Sequence, residues 1–187
     1  MPTLKRRWTV ADLEDLPDDG NRYEVIDGEL LVTPSPALRH QVAVGELYAR
    51  LRDYLLRERV GHAFVAPGDI TFSLTRRVQP DVFVVPLVDG RLPDCWADVH
   101  RLLLAVEVLS PSTVRADRVH KRTLYREEDV REYWIVDLDA RTIERSTPED
   151  RRVDVIADEL SWQPDGAEEA FVIGVPQFFA AVLDPGC

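Results

Sequence analysis

The sequence predicts an α/β fold in one domain over residues 1–187, and three stretches predict it. Residues 102–109 read LLLAVEVL, seven apolar residues in eight, the pattern of a strand buried on both faces. Residues 132–137, EYWIVD, give a second strand signal rich in aromatic and β-branched residues. Between residues 35 and 59, Val44, Leu47, Leu51 and Leu55 recur at three-to-four spacing, which marks an amphipathic helix facing a core.

In chain order, Thr9 and Asp12 form a capping pattern that opens a short helix, with Leu13 and Leu16 as its apolar edge. Residues 17–21, PDDGN, stop it. Strands 23–26 and 29–32 flank Asp27-Gly28, a two-residue hairpin signal. Ser35 is placed to cap the long helix, with Pro36 at its first position and its end near Arg59. Short strands at 61–67 and 70–74 surround Gly68-Asp69. Residues 78–86 read as one apolar strand with Asp81 near its start, and 87–100 as a polar loop containing Trp96. After the 102–109 strand comes a helix over 112–128, then the 132–137 strand. Residues 139–141 turn into a strand at 142–146. A further strand is predicted at 153–157, and residues 171–183 make a C-terminal element packed on the body. There is no internal repeat, low-complexity tract or linker.

The formal net charge is −11, which opposes tight nucleic-acid binding because phosphate affinity comes mainly from Lys and Arg. Carboxylates clustered to hold a metal add to the same total, so local fields decide. No apolar run approaches the ~20 residues of a membrane span, and no signal-peptide core is present. Two cysteines, Cys95 and Cys187, make neither a disulfide framework nor a zinc pattern, and a cytoplasmic location is expected.

Chemistry concentrates around Glu107, an acid inside an apolar strand. Its ionised form is costly there unless a cation, a metal or hydrogen-bond donors compensate it. Asp81 supplies a second strand acid. The 112–128 helix carries Asp117 and Lys121, four residues apart and so on one face. Two strand acids and a lysine make a site for a divalent cation and a phosphate. Magnesium takes hard oxygen ligands and keeps several waters, so one or two carboxylates suffice. A lysine there orients or deprotonates the attacking water, or neutralises developing charge.

In order and spacing, these residues resemble a family. The pieces are Tyr23-Glu24-Val25-Ile26-Asp27-Gly28-Glu29-Leu30, Pro36 with His40, Gln79-Pro80-Asp81-Val82, residues 107–113 (EVLSPST), Asp117 to Lys121 with Tyr125, and residues 130–137 (VREYWIVD). Together they cover about residues 8–146 and resemble the Uma-type putative restriction endonucleases, within the PD-(D/E)XK nuclease superfamily. The resemblance implies a restriction-endonuclease-like fold, a central mixed β-sheet flanked by helices. It implies an endonuclease that uses Mg2+, or Mn2+ in its place, with DNA as a weakly held substrate. Asp81 and Glu107 would be the metal ligands, Lys121 and Glu24 would complete the catalytic group, and His40 and Asp117 would contact substrate. The superfamily motif puts lysine at position 109, where this chain has Leu109, so the lysine is expected to have moved to Lys121. The family's usual Gly before Val130 is Asp129 here.

Plainer readings stand beside these. Glu107 and Lys121 make a structural ion pair in a catalytically silent module that binds a protein partner through its acidic surface. Asp81 caps a turn after Pro80, Glu24 is an exposed strand acid, Asp117 is a helix-surface partner of Lys121, and His40 is a satisfied surface histidine. Tyr125, Tyr133 and Trp134 read as core aromatics. Arg50, Arg52, Arg57 and Arg59 read as a solvated helix face or a DNA-facing patch. A two-fold homodimer is the assembly expected on general grounds.

Overall fold

The computed structural model describes residues 6–184, so Cys187 lies outside the described residues. The main sheet has six strands in the order β10-β9-β8-β7-β6-β3. These are β3 (Gly61–Val65), β6 (Val82–Pro86), β7 (Leu104–Val108), β8 (Tyr133–Asp137), β9 (Thr142–Ser146) and β10 (Asp154–Ile156). Only β7 and β8 pair in parallel; the other neighbours are antiparallel. A parallel pair needs a crossover, and the helix that follows β7 provides it. A second, antiparallel sheet holds β1 (Arg22–Ile26), β2 (Glu29–Thr33), β4 (Ile70–Ser73) and β5 (Arg76–Val78) in the order β2-β1-β5-β4.

Side-chain alternation along the central strands assigns each face a partner. Val82 and Val84 of β6, Leu104, Val106 and Val108 of β7, and Trp134 and Val136 of β8 point to one core. That core is closed by α2 (Leu38–Glu58), α4 (Val175–Leu183) and the hairpin β11 (Glu159–Trp162) with β12 (Phe171–Gly174). On the opposite face Phe83, Ala105, Tyr133 and Ile135 meet Ile26, Ile70 and Val78 of the second sheet, with Leu124 and Tyr125 of α3 (Arg122–Glu127). Glu107 falls on this second face by period two from Ala105. The mixed sheet flanked by helices is therefore as expected.

Four details differ from the sequence reading. Residues 78–86 are not one strand: β5 and β6 belong to different sheets, and Gln79-Pro80-Asp81 carries the chain between them. Proline has no N–H for a ladder, and the Asp81 carboxylate turns inward instead. The long helix starts at Leu38, because the Ser35 hydroxyl donates to the Gly20 carbonyl at 3.0 Å rather than capping. The crossover helix runs as a π-helical stretch, Ala116–Lys121, before α3. Finally, residues 171–183, read as one element, divide into β12 and α4, and β12 pairs with β11 (Glu159–Trp162), a strand the sequence reading did not predict.

The N-terminal capping box at Thr9 and Asp12, opening α1 (Val10–Leu13), forms as expected, as does the hairpin turn, with positive φ at both Asp27 and Gly28. Among the described residues no helix is long and apolar enough to cross a membrane. Asp129 also sits at positive φ, 52°, a conformation that costs a residue with a Cβ more than glycine. Asp129→Gly is expected to raise stability by up to about 1 kcal/mol, gained strain relief exceeding lost chain stiffness. A urea-melt midpoint at or below wild type would refute this.

Candidate functional site

The site forms where the two sheets and the crossover helix meet. From β1 come Arg22 and Glu24, from the 79–81 crossing Asp81, from β7 Glu107, and from the first turn of α2 His40. The crossover helix contributes Asp117, Lys121 and Tyr125, spaced by four. In a regular α-helix residues at that spacing drift around the axis; the wider π turn between Asp117 and Lys121 alters that drift. All three side chains reach the cluster.

Lys121 is the hub. Its Nζ lies 2.9 Å from Glu107 Oε1, 3.0 Å from Glu24 Oε2 and 3.6 Å from Asp117 Oδ1. The Tyr125 hydroxyl donates to the same Glu107 oxygen at 3.2 Å. Glu24 Oε1 accepts from the Gln79 backbone N–H at 2.8 Å, which ties β1 to the crossing. Asp81 takes three donors: Arg22 Nη1 at 2.8 Å, the Val108 backbone N–H at 2.8 Å and His40 Nε2 at 3.0 Å. Arg22 also donates to the Gln79 carbonyl at 2.7 Å. Glu24, Glu107, Asp117 and Lys121 are each no more than 1% exposed.

Four carboxyl groups thus share two permanent cations, Lys121 and Arg22, with His40 at the margin. The consequences follow from the sign of each group's surroundings. Burial pushes Glu107 well above the usual carboxylate range; Lys121 opposes this, while Asp81 and Asp117 add to it. Asp117 is raised for the same first reason, burial. Burial also acts to raise Asp81, but the His40 hydrogen bond and the Arg22 charge outweigh it and hold its carboxyl down at about 2. Burial acts to lower Lys121, and its acidic neighbours, Glu107 first, outweigh that and raise it. Lys121 is therefore a firm ammonium.

The sequence-predicted residues Asp81, Glu107, Lys121, Glu24, His40 and Asp117 all lie in this one network. Several plainer readings fail here. Glu24, Asp117 and His40 are buried, so none is a surface residue. Tyr125 is core, and its hydroxyl also binds Glu107. Arg22 was missed: at the start of β1, after the polar turn 17–21, it had no local signal, and only the sheet crossing brings Asp81 to it. The α2 arginines pair locally, Arg50 with Glu46 and Arg52 with Asp53. Among the described residues no group of three or more His, Cys, Asp or Glu side chains is arranged to hold a metal ion. Neither the cavity lined by Arg122, Arg126, Arg151 and Arg152 nor the small one beside Leu55 and His62 includes any of the six residues.

A family model described as a putative restriction endonuclease, Uma2, matches residues 10–178. A crystal structure of a putative nuclease belonging to DUF820 from Anabaena variabilis shares the fold. It superposes with a TM-score of 0.76 at 21% identity, covering 94% of this chain and 99% of that one. No curated protein matches the sequence.

Two predictions follow from the charge balance. Lys121→Met leaves three buried carboxylates without their shared cation and should destabilise by roughly 3–5 kcal/mol. Glu107→Gln keeps an oxygen acceptor and removes surplus charge, so it should cost less than about 1 kcal/mol or stabilise. Equal losses in urea melts of the two variants would contradict the surplus. Asp81, depressed in the folded state, contributes stability that is complete above about pH 4 and lost as pH falls towards about 2. Asp81→Asn should therefore show an acid loss over that window smaller by about 2 kcal/mol. Parallel curves for variant and wild type would refute it.

Proposed function

Because the chain belongs to the Uma2 family of putative restriction endonucleases, we propose that it is a divalent-metal-dependent endonuclease hydrolysing the phosphodiester bonds of DNA. One observation carries the reading: four carboxyl groups and a lysine buried in one network at the junction of two sheets. A purely structural core gains nothing from such a surplus of negative charge, whereas a site for a hard cation requires it.

The residues fit a magnesium ion, with manganese as a substitute. Every candidate donor in the surplus is a carboxylate oxygen. Glu24 Oε2 and Asp117 Oδ1 are buried, and apart from their ion pairs with the Lys121 ammonium at 3.0 and 3.6 Å they have no hydrogen-bond partner among the described residues. Magnesium needs only one or two protein carboxylates, so the lack of a three-residue cluster does not count against it. Asp81 and Glu107 are the two that would hold the ion. Bound there, it would polarise a phosphoryl oxygen and acidify a water.

The remaining roles belong to the chain itself. Lys121, kept protonated by its acidic neighbours, orients the attacking water and offsets the charge that grows on the phosphoryl oxygens. It is a poor base for the same reason. Glu24 holds the Lys121 ammonium from the β1 side, and Asp117 does so from the helix. His40 and Arg22 fix the Asp81 carboxylate, and in this reading His40 also contacts the substrate phosphate. We extend the proposal to a single domain over residues 1–187 and to a two-fold dimer, the assembly that suits a duplex cutter.

A second reading has an observation of its own. Glu107 and Lys121 are sealed together, and Asp81 is already satisfied by Arg22, His40 and the Val108 N–H. That is what a catalytically silent module that kept the fold would look like. Magnesium and manganese titrations with DNA and RNA, on wild type and Glu107→Gln, separate the two. The nuclease gives metal-dependent DNA cleavage that the variant loses, and a metal-dependent rise in wild-type stability, on the order of 2.7 kcal/mol at a hundred times Kd. No cleavage and no metal response in either protein would leave the silent module.

A further inference from the structure

Beside the buried network, on the outer flank of the same helix, lies a cavity of about 240 Å3 lined by four arginines. Arg122 and Arg126 come from α3, each one residue after a member of the network, Lys121 and Tyr125. Arg151 and Arg152 come from the turn between β9 and β10. Arg126, Arg151 and Arg152 are exposed, and none makes an ion pair or side-chain hydrogen bond among the described residues. Arg122 pairs with Glu144, yet its Nε is buried without a partner. The single acid on the rim, Asp150, is engaged as the acceptor for the Thr147 backbone N–H at 2.7 Å.

In a chain of net charge −11, Arg22, Arg76, Arg77, Arg118 and Arg145 each have an acidic partner. Arg126, Arg151 and Arg152 have none among the described residues, and unlike the other unpaired arginines they converge on one cavity. Like charges brought together repel, so the arrangement favours an anion that neutralises them. The planar guanidinium fork matches phosphate oxygens in pairs, a geometry that a lysine cluster lacks. The cavity exceeds what one inorganic phosphate fills and is open at its rim, which suits a chain passing through it.

We propose that this arginine-lined cavity anchors backbone phosphates of a nucleic-acid strand. The inference rests on the nuclease reading for the identity of its ligand, and it locates a substrate-holding surface outside the catalytic network. The helix carrying Lys121 would then present its inner face to the acids and its flank to the strand. It also accounts for how an acidic protein holds DNA, since attraction need only be local.

Fluorescence anisotropy with labelled single-stranded and duplex oligonucleotides, in EDTA so that no cleavage occurs, tests it. The variants are Arg126→Gln and the double Arg151→Gln/Arg152→Gln. A charge-matched control, Arg91→Gln/Arg101→Gln, removes two exposed arginines elsewhere. The double variant should lose about tenfold or more in affinity at low salt and flatten the salt dependence by about two phosphate contacts, and Arg126→Gln should lose about half as much on a logarithmic scale. The control should change little, and melting temperatures should stay put, because none of these side chains is buried. Equal loss in double variant and control would overturn the proposal, reducing the effect to net charge. Retained oligonucleotide affinity in the double variant, with loss of binding to a mononucleotide or inorganic phosphate, would assign the cavity to a small phosphate ligand and also overturn it. The two readings fail separately. Pocket-dependent binding without cleavage by the metal-loaded wild type removes the nuclease and keeps the anchor. Cleavage that the double variant preserves, with unchanged binding, removes the anchor and keeps the nuclease.

Discussion

The structure depends on how one ammonium is shared. Lys121 is buried against Glu107 of β7, Glu24 of β1 and Asp117 of its own helix. Remove the cation and β1, β7 and the crossover helix present three like charges to one another in a low-dielectric space. Apolar packing holds the layers together, through Phe83, Ile135, Leu124 and Tyr125. The ammonium decides that they meet in this register. Its neighbours exceed it in charge, which is why Glu107 and Asp117 are raised while Lys121 is fixed as a cation.

The second requirement is the crossing at Gln79-Pro80-Asp81. If residues 78–86 were one strand, Asp81 would lie within a single sheet and Glu24 would have no contact with it. Because the chain leaves β5 in one sheet and enters β6 in the other, the crossing can receive donors from both sides. Gln79 donates its N–H to Glu24 and accepts from Arg22 through its carbonyl, while Asp81 accepts from Arg22, His40 and Val108. The Pro-Asp pair therefore does structural and electrostatic work in the same three residues. Proline ends one ladder and the carboxylate gathers the donors that the second sheet and α2 bring.

Much of this was legible in the sequence, for identifiable reasons. The strands β7 and β8 are buried on both faces, so their composition alone announces them. Glu107 stood out because a charge amid such a run is anomalous. Lys121 and Asp117 were legible as a helical pair, although the π stretch that aligns them with Tyr125 leaves no periodicity signature to read. What stayed hidden depends on tertiary contact. Arg22 looked like any arginine at a strand end, and Asp81's partners are set by a sheet crossing that an apolar run disguises. Ser35 has the chemistry of a helix cap, but a longer-range acceptor, Gly20, took its hydroxyl. The β11–β12 hairpin was hidden because each strand is only four residues long and residues 163–170 separate them, too long a connection for a tight-turn signal.

That the ammonium comes from the helix and not from the strand that carries Glu107 has a physical consequence of its own. A lysine two residues after Glu107, just past the end of β7, would lie on the same face as Glu107. On the helix, the ammonium reaches Glu107 from the opposite layer, and the layer's closure is what completes the charge network. Tyr125 and Tyr133 wall that layer, with ring centroids 4.7 Å apart, and the Tyr133 hydroxyl donates to the Asp117 carbonyl at 3.1 Å. That bond ties the π stretch to β8, the strand parallel to β7. The position of Lys121 is thus fixed by the parallel pair itself, through the crossover that joins its two strands. A site assembled this way couples chemistry to packing more tightly than a strand-borne lysine would. Loosening the helix would withdraw the cation and expose the acids in the same motion.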